Sequence, residues 1–194
     1  MKYDVILAGV GGQGVLSIAA IIAASAVTEG LAVRQSEVHG MAQRGGAVLA
    51  HLRLSDGIIP GDLVPRGGAD LVISMEPLES LRYAHWLSPE GVLVSAAEPF
   101  INIPDYPEIG DIIRAIKTFP VSLVVRAADL AREAGLAKAV NMVMVGAASA
   151  FLPLAGETLE AAIAAAFASR KDAAQANIRA FKSGRNAADE ERRG

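Results

Sequence analysis

Gly9-Val10-Gly11-Gly12-Gln13-Gly14 is the stretch whose residue types and spacing point most directly to chemistry. Without side chains, backbone N–H groups approach a bound phosphate or carboxylate closely, and a helix starting just beyond adds the partial positive charge of its N-terminus. Gly9, Gly11, Gly12 and Gly14 supply that backbone, and Gln13 can donate and accept a hydrogen bond at the mouth. A second stretch, Ser36-Glu37-Val38-His39-Gly40-Met41-Ala42-Gln43-Arg44-Gly45-Gly46, gathers an acid, an imidazole and a guanidinium in a glycine-punctuated loop. Arg44 could hold an anion bidentately, with Glu37 and His39 orienting it or taking part in proton transfer. The alternative for all three is a salt-bridged loop at a subunit interface, since ion-pair networks also gather charges. A Ser36/Glu37/His39 hydrolase triad lacks the Gly-x-Ser-x-Gly elbow and sits too close together in sequence to converge readily.

The elements that must position these residues follow from hydrophobic periodicity. Tyr3 to Ala8 carries Val5, Ile6 and Leu7 in a row, the mark of a strand buried on both faces. Leu16, Ile18, Ala19, Ile22, Ala23 and Ala26 recur at helical spacing from Val15 to Glu29. A Rossmann domain would place an acidic residue at the end of its second strand, where Glu37 sits, and then a second crossover helix. The chain instead continues through the 38–46 loop into Ala47–Ser55, an alternating stretch that predicts a half-buried strand closed by Asp56-Gly57.

Beyond it the βαβ pattern returns, with buried strands at Asp70–Met75, Val92–Ser95 and Val121–Val125 and helices at Pro77–Leu87, Ile109–Lys117 and Ala127–Ala134. Met142–Leu152 is apolar on nearly every side and must be buried, with Asn141 as its cap. Gly146, Ala147 and Ala150 would let another backbone come close to that helix. Two further helices run from Glu157 to Ala168 and onward to a stop at Gly184. The fold class is therefore α/β: Rossmann-like, a mostly parallel sheet with a strand or hairpin inserted in place of the second crossover helix, and C-terminal helices packed on it. Residues 1–184 form one domain, and 185–194, with only two alanines as apolar residues, read as a disordered tail.

Composition narrows the function classes. The chain has 194 residues, 52% hydrophobic and 20% charged, with a net charge of −3, which gives no basic footprint for nucleic acid. It has no cysteine, so it forms no disulfide, has no thiol nucleophile and offers no thiolate to an iron–sulfur cluster. His39, His51 and His85 lack metal-ligand spacing, and His51 and His85 read as structural. The apolar run from Val15 to Thr28 is too short to cross a bilayer, so we expect a cytoplasmic protein without a membrane partner.

Together, the Gly9–Gly14 turn, the Ser36–Gly46 loop and the Asn177–Gly184 ending resemble the gamma-type subunits of 2-oxoacid:ferredoxin oxidoreductases, most closely the beta-type subunits of the indolepyruvate branch. The resemblance spans residues 1 to 184, and Asn141 and Gly146 match the family's late buried helix. It implies an accessory subunit of a complex that oxidatively decarboxylates a 2-oxo acid, here indolepyruvate or another aryl pyruvate, to the acyl-coenzyme A. It further implies a larger partner subunit carrying thiamine diphosphate, magnesium and iron–sulfur clusters, an α2β2 hetero-oligomer, electron delivery to ferredoxin, and coenzyme A as a ligand the glycine turn could receive. The chain would be inactive alone. The competing readings are a free-standing flavin- or nicotinamide-binding Rossmann-type oxidoreductase and a non-catalytic interaction protein.

Overall fold

A computed structural model describes residues 1–39 and 45–193. Among them six strands form one sheet in the order β2-β3-β1-β4-β5-β6. The strands are β1 (Lys2–Val10), β2 (Ala32–His39), β3 (Ala47–Ser55), β4 (Ala69–Ser74), β5 (Leu87–Ala96) and β6 (Ser122–Val125). β1, β4, β5 and β6 pair in parallel, whereas β3 lies antiparallel between β1 and β2. The antiparallel strand β3 thus stands where a Rossmann fold would place its second crossover helix, as the sequence predicts.

Because side chains alternate along a strand, the apolar run of β1 feeds two cores. Val5 and Leu7 join Leu71, Ile73 and Val94 under the helices α1 (Val15–Thr28), α4 (Ala127–Glu133), α5 (Val140–Ser149), α6 (Gly156–Ala166) and α7 (Lys171–Glu191). Ile6 joins Val72 and Leu93 under α2 (Pro77–Arg82) and α3 (Ile109–Ile116), which contribute Leu78, Leu81, Ile112 and Ile116. The helix after β1 and the helix after β4 therefore cover opposite faces. That makes the crevice between the ends of β1 and β4 the topological switch point, where open α/β sheets bind ligands.

Four sequence readings are corrected. β3 is buried on both faces rather than half-buried, because the segment after it folds over its polar side. Val64 N–H donates to His51 Nδ1 at 3.2 Å, and Arg53 Nη1 donates to the carbonyls of Gly61 and Leu63 at 3.0 and 3.1 Å. Arg53 also pairs with the fully buried Asp4, Nε to Oδ1 at 2.8 Å, so its charge is compensated where water is excluded. The helix from Pro77 stops at Arg82. The register of β5 against β4 shifts between Leu87 and Val92. Gly91 suits that irregularity, since a Cβ on it would lie 2.7 Å from the Ala69 carbonyl oxygen. Asn141 lies inside α5, whose N-cap is Ala139.

The fourth correction concerns the C-terminus. Gly184 does not end a helix, and Arg185–Glu191 is not a disordered tail, because α7 runs unbroken to Glu191 with Ala188 fully buried. Arg185 Nη1 donates to Ser149 O and Oγ at 3.2 and 3.0 Å, and Arg192 Nη1 to Ala150 O at 2.9 Å. Packing through alanine and hydrogen bonding through arginine hold this segment without large apolar side chains.

Candidate functional site at the glycine turn

The turn after β1 is built by short-range bonds that the glycines permit. A Cβ on Gly9 would meet Val15 Cγ2 at 2.8 Å and Met75 Cβ at 3.0 Å, so only glycine lets α1 and the end of β4 close on the strand. Gly12 and Gly14 have φ of 100° and 81°, the left-handed region that glycine enters without steric cost. Gln13 locks the result: its Oε1 accepts Val10 N–H at 2.7 Å and its Nε2 donates to Met75 O at 3.2 Å. Met75 N–H in turn donates to Ala8 O at 2.9 Å, so Gln13 clamps the ends of β1 and β4 at the switch point.

The β2–β3 hairpin is tied to the same turn. Register pairs Val10 with Ala47, which brings Gly11 N–H to Gly46 O at 2.8 Å and Gly45 N–H to Gly11 O at 3.4 Å. The donor of Gly11 is thus spent within the protein, as is much of the Gln13 amide, in contrast to the expectation that both face a ligand. The N–H groups of Gly12 and Gly14, at the start of α1, bond no other described residue. Beside them opens a cleft of about 490 Å³ lined by Gly12, Gln13, Met75, Glu98, Pro99, Ala128, Lys138 and Val140. It has an apolar wall, one exposed cation at Lys138 and one carboxylate at Glu98, whose Oε1 accepts Ala128 N–H at 3.0 Å.

Of the acid, imidazole and guanidinium, Glu37 and His39 fall on β2, their backbones paired with Ala50 and Val48. The half-buried Glu37 accepts from Gln35 Nε2 at 2.6 Å, and its extended-strand neighbour Ser36 projects to the opposite sheet face, which disposes of the hydrolase triad. Arg44 lies outside the described residues. The described residues that follow it, Gly45 and Gly46, bond Gly11 next to the glycine turn.

Sequence reasoning missed three contributors. Glu98 and Lys138 line the cleft, and the only signal for either is that Glu98 follows the C-terminal end of β5, the edge where ligands gather. The third is Glu76, fully buried after β4, whose carboxylate caps α2 through Glu79 N–H at 2.8 Å. It also accepts Phe100 N–H at 3.3 Å and the Tyr106 hydroxyl, an arrangement that raises the Tyr106 pKa through burial first and the hydrogen bond second. Glu76 thereby fixes the 97–108 loop over the sheet edge.

A doubly wound sheet with a glycine turn, a helix N-terminus and a cleft at its switch point defines a Rossmann-like α/β domain. The chain belongs to the pyruvate ferredoxin/flavodoxin oxidoreductase family, whose model matches residues 4–187. Indolepyruvate oxidoreductase subunit IorB of Archaeoglobus fulgidus is 38% identical over 197 residues, covering 97% of this chain and 96% of that protein. The same-named subunit of Pyrococcus horikoshii is 35% identical over 199 residues, covering 97% of each. The fold matches 2-oxoglutarate:ferredoxin oxidoreductase of Magnetococcus marinus, solved with 2-oxoglutarate, coenzyme A and succinyl-CoA bound, with a TM-score of 0.77 at 20% identity. That alignment covers 97% of this chain and 31% of the larger one. The chain is accordingly a subunit of an oxidoreductase complex. Among the described residues no helix is long and apolar enough to cross a membrane.

Proposed function

We propose that the chain is the accessory, gamma-type subunit of a 2-oxoacid:ferredoxin oxidoreductase acting on indolepyruvate or a similar aryl pyruvate. The observation that carries this reading is the near full-length similarity to indolepyruvate oxidoreductase subunits, 38% identity over 97% of the chain. The reaction converts R–CO–COO⁻ and coenzyme A to R–CO–S–CoA, carbon dioxide and a proton, and two electrons pass one at a time to ferredoxin. Thiamine diphosphate with magnesium, and the iron–sulfur clusters, belong to a larger partner subunit in a hetero-oligomer of α2β2 type. This chain has no cysteine with which to bind a cluster through thiolates.

The chain's own part is to receive coenzyme A. The N–H groups of Gly12 and Gly14 and the N-terminus of α1 suit a phosphate, with Lys138 as the nearby cation. Met75, Pro99 and Val140 offer an apolar wall to the uncharged remainder. Gly9, Gly11 and Gln13 shape the turn. Arg44 holds an anionic group of the ligand, and Glu37 and His39 orient it or take part in proton transfer, the roles that their residue types suit. Titration calorimetry tests this assignment with coenzyme A and NAD, on the chain alone and on the assembled complex. Coenzyme A should bind, and Lys138→Glu should weaken it at least tenfold. Tight NAD binding with no coenzyme A binding in either form would instead establish a nicotinamide enzyme.

A further inference from the structure

We propose that the loop Phe100-Ile101-Asn102-Ile103 is the surface that docks the larger subunit of the complex, and that this partner presents an apolar hollow rimmed by basic side chains. The inference rests on the accessory-subunit reading and names the contact that reading requires. Phe100, Ile101 and Ile103 are 42%, 71% and 40% exposed, three large apolar side chains in four consecutive residues on a loop. Such a contiguous group costs free energy in water and marks an interaction site, unlike singly scattered exposed residues.

The loop is held in place before any partner arrives. Glu76 grips it at both ends through Phe100 N–H and the Tyr106 hydroxyl, and Asn102 Nδ2 donates to Gly45 O at 2.8 Å across the sheet edge. Preorganisation of this kind lowers the ordering cost of association. The loop itself is acidic: between Glu98 and Glu108 the sequence carries Glu98, Asp105 and Glu108 and no lysine or arginine, while Asp111 just beyond is paired with Arg114. Asp105 and Glu108 are exposed beside the apolar group, so a basic rim on the partner is the complement. The surface is also continuous with the candidate site, because Pro99 lines the cleft and Gly45 bonds the glycine turn.

The test uses the complex purified from the native source, its larger subunit identified and then co-expressed with the full-length chain. Ile101→Asp should raise the dissociation constant at least tenfold, Ile101→Leu should leave it within about twofold, and binding should weaken as salt rises. Ile58→Asp, at a 95% exposed position on the loop after β3, is the control and should change nothing. Thermal melts confirm that the variants fold, which substitution at exposed positions permits. Undiminished binding by Ile101→Asp, with wild-type binding intact, overturns the docking assignment alone. So does a chain that self-associates through this loop while complex formation is unaffected. A wild-type chain that forms no complex overturns the accessory-subunit reading and this inference together.

Discussion

Gly146 on α5 and Gly184 on α7 face each other across a helix crossing too close for any side chain. A Cβ on Gly146 would lie 1.9 Å from the Phe181 carbonyl oxygen, and one on Gly184 would lie 1.9 Å from that of Val143. Each glycine thus seats the backbone of the other helix, and the crossing anchors α7 against the core under the parallel strands.

The two alanine variants separate opposing effects. Glycine to alanine in a helix interior gains about 1 kcal/mol from propensity. The overlap here is with backbone and cannot be relieved by a rotamer, so the helices must part, at a cost we place at roughly 3 kcal/mol or more. Gly146→Ala and Gly184→Ala should each destabilise the protein by about 2 kcal/mol net in denaturant unfolding. A gain in stability at either position would contradict the crossing.

His51 sets a pH dependence. Its ring is buried edge-on against Trp86, with centroids 4.8 Å apart, and Nδ1 accepts the Val64 N–H. Burial first and the Arg53 charge second hold its pKa below 6.5. The folded state therefore binds fewer protons than the unfolded one, so the contribution is fully present above pH 6.5 and is lost as pH falls through the unfolded pKa towards the lower folded one. His51→Asn keeps an acceptor without a titrating charge. Urea unfolding between pH 8 and pH 5 should show the wild type losing stability faster than the variant, whereas parallel curves would show that His51 is not the linked group.

Gln13 bonds Val10 and Met75 at once, and Gln13→Ala leaves a strand-end donor and an acceptor without partners. The expected cost is about 1–3 kcal/mol. Gln13→Glu should recover only part of it, because a carboxylate accepts from Val10 but repels the Met75 carbonyl. Equal stability of all three proteins in thermal unfolding would mean that the clamp does not hold the turn.

The legible part of this molecule is the part governed by local pattern. The run Val5-Ile6-Leu7 gave away a doubly buried strand, and the polar 38–46 stretch excluded a second crossover helix. What pattern could not reveal was what covers a polar residue. Arg53 and His51 alternate with Leu52 and Leu54 as a solvent face would, yet a later segment buries them with carbonyl and N–H partners. Gly184 has the same ambiguity, since a glycine near the end of a periodic stretch reads as a stop, and only the neighbouring α5 turns it into a contact. The cleft was half legible: the glycine turn announced it, while Glu98 and Lys138 arrive from distant segments with no local signature.

On the proposed function, the chain serves in a 2-oxoacid oxidoreductase only together with a partner. The direct measurement is ferredoxin reduction with indolepyruvate and coenzyme A, by the purified chain, by the purified larger subunit, and by the two recombined. The chain alone should show no turnover and no bound iron, and the recombined pair should turn over with formation of the acyl-coenzyme A. Arg44→Ala should lower the efficiency of that pair by roughly ten- to a hundredfold, the loss of a charge-assisted hydrogen bond. Turnover by the chain alone, or a larger subunit whose full activity does not change when the chain is added, would contradict it.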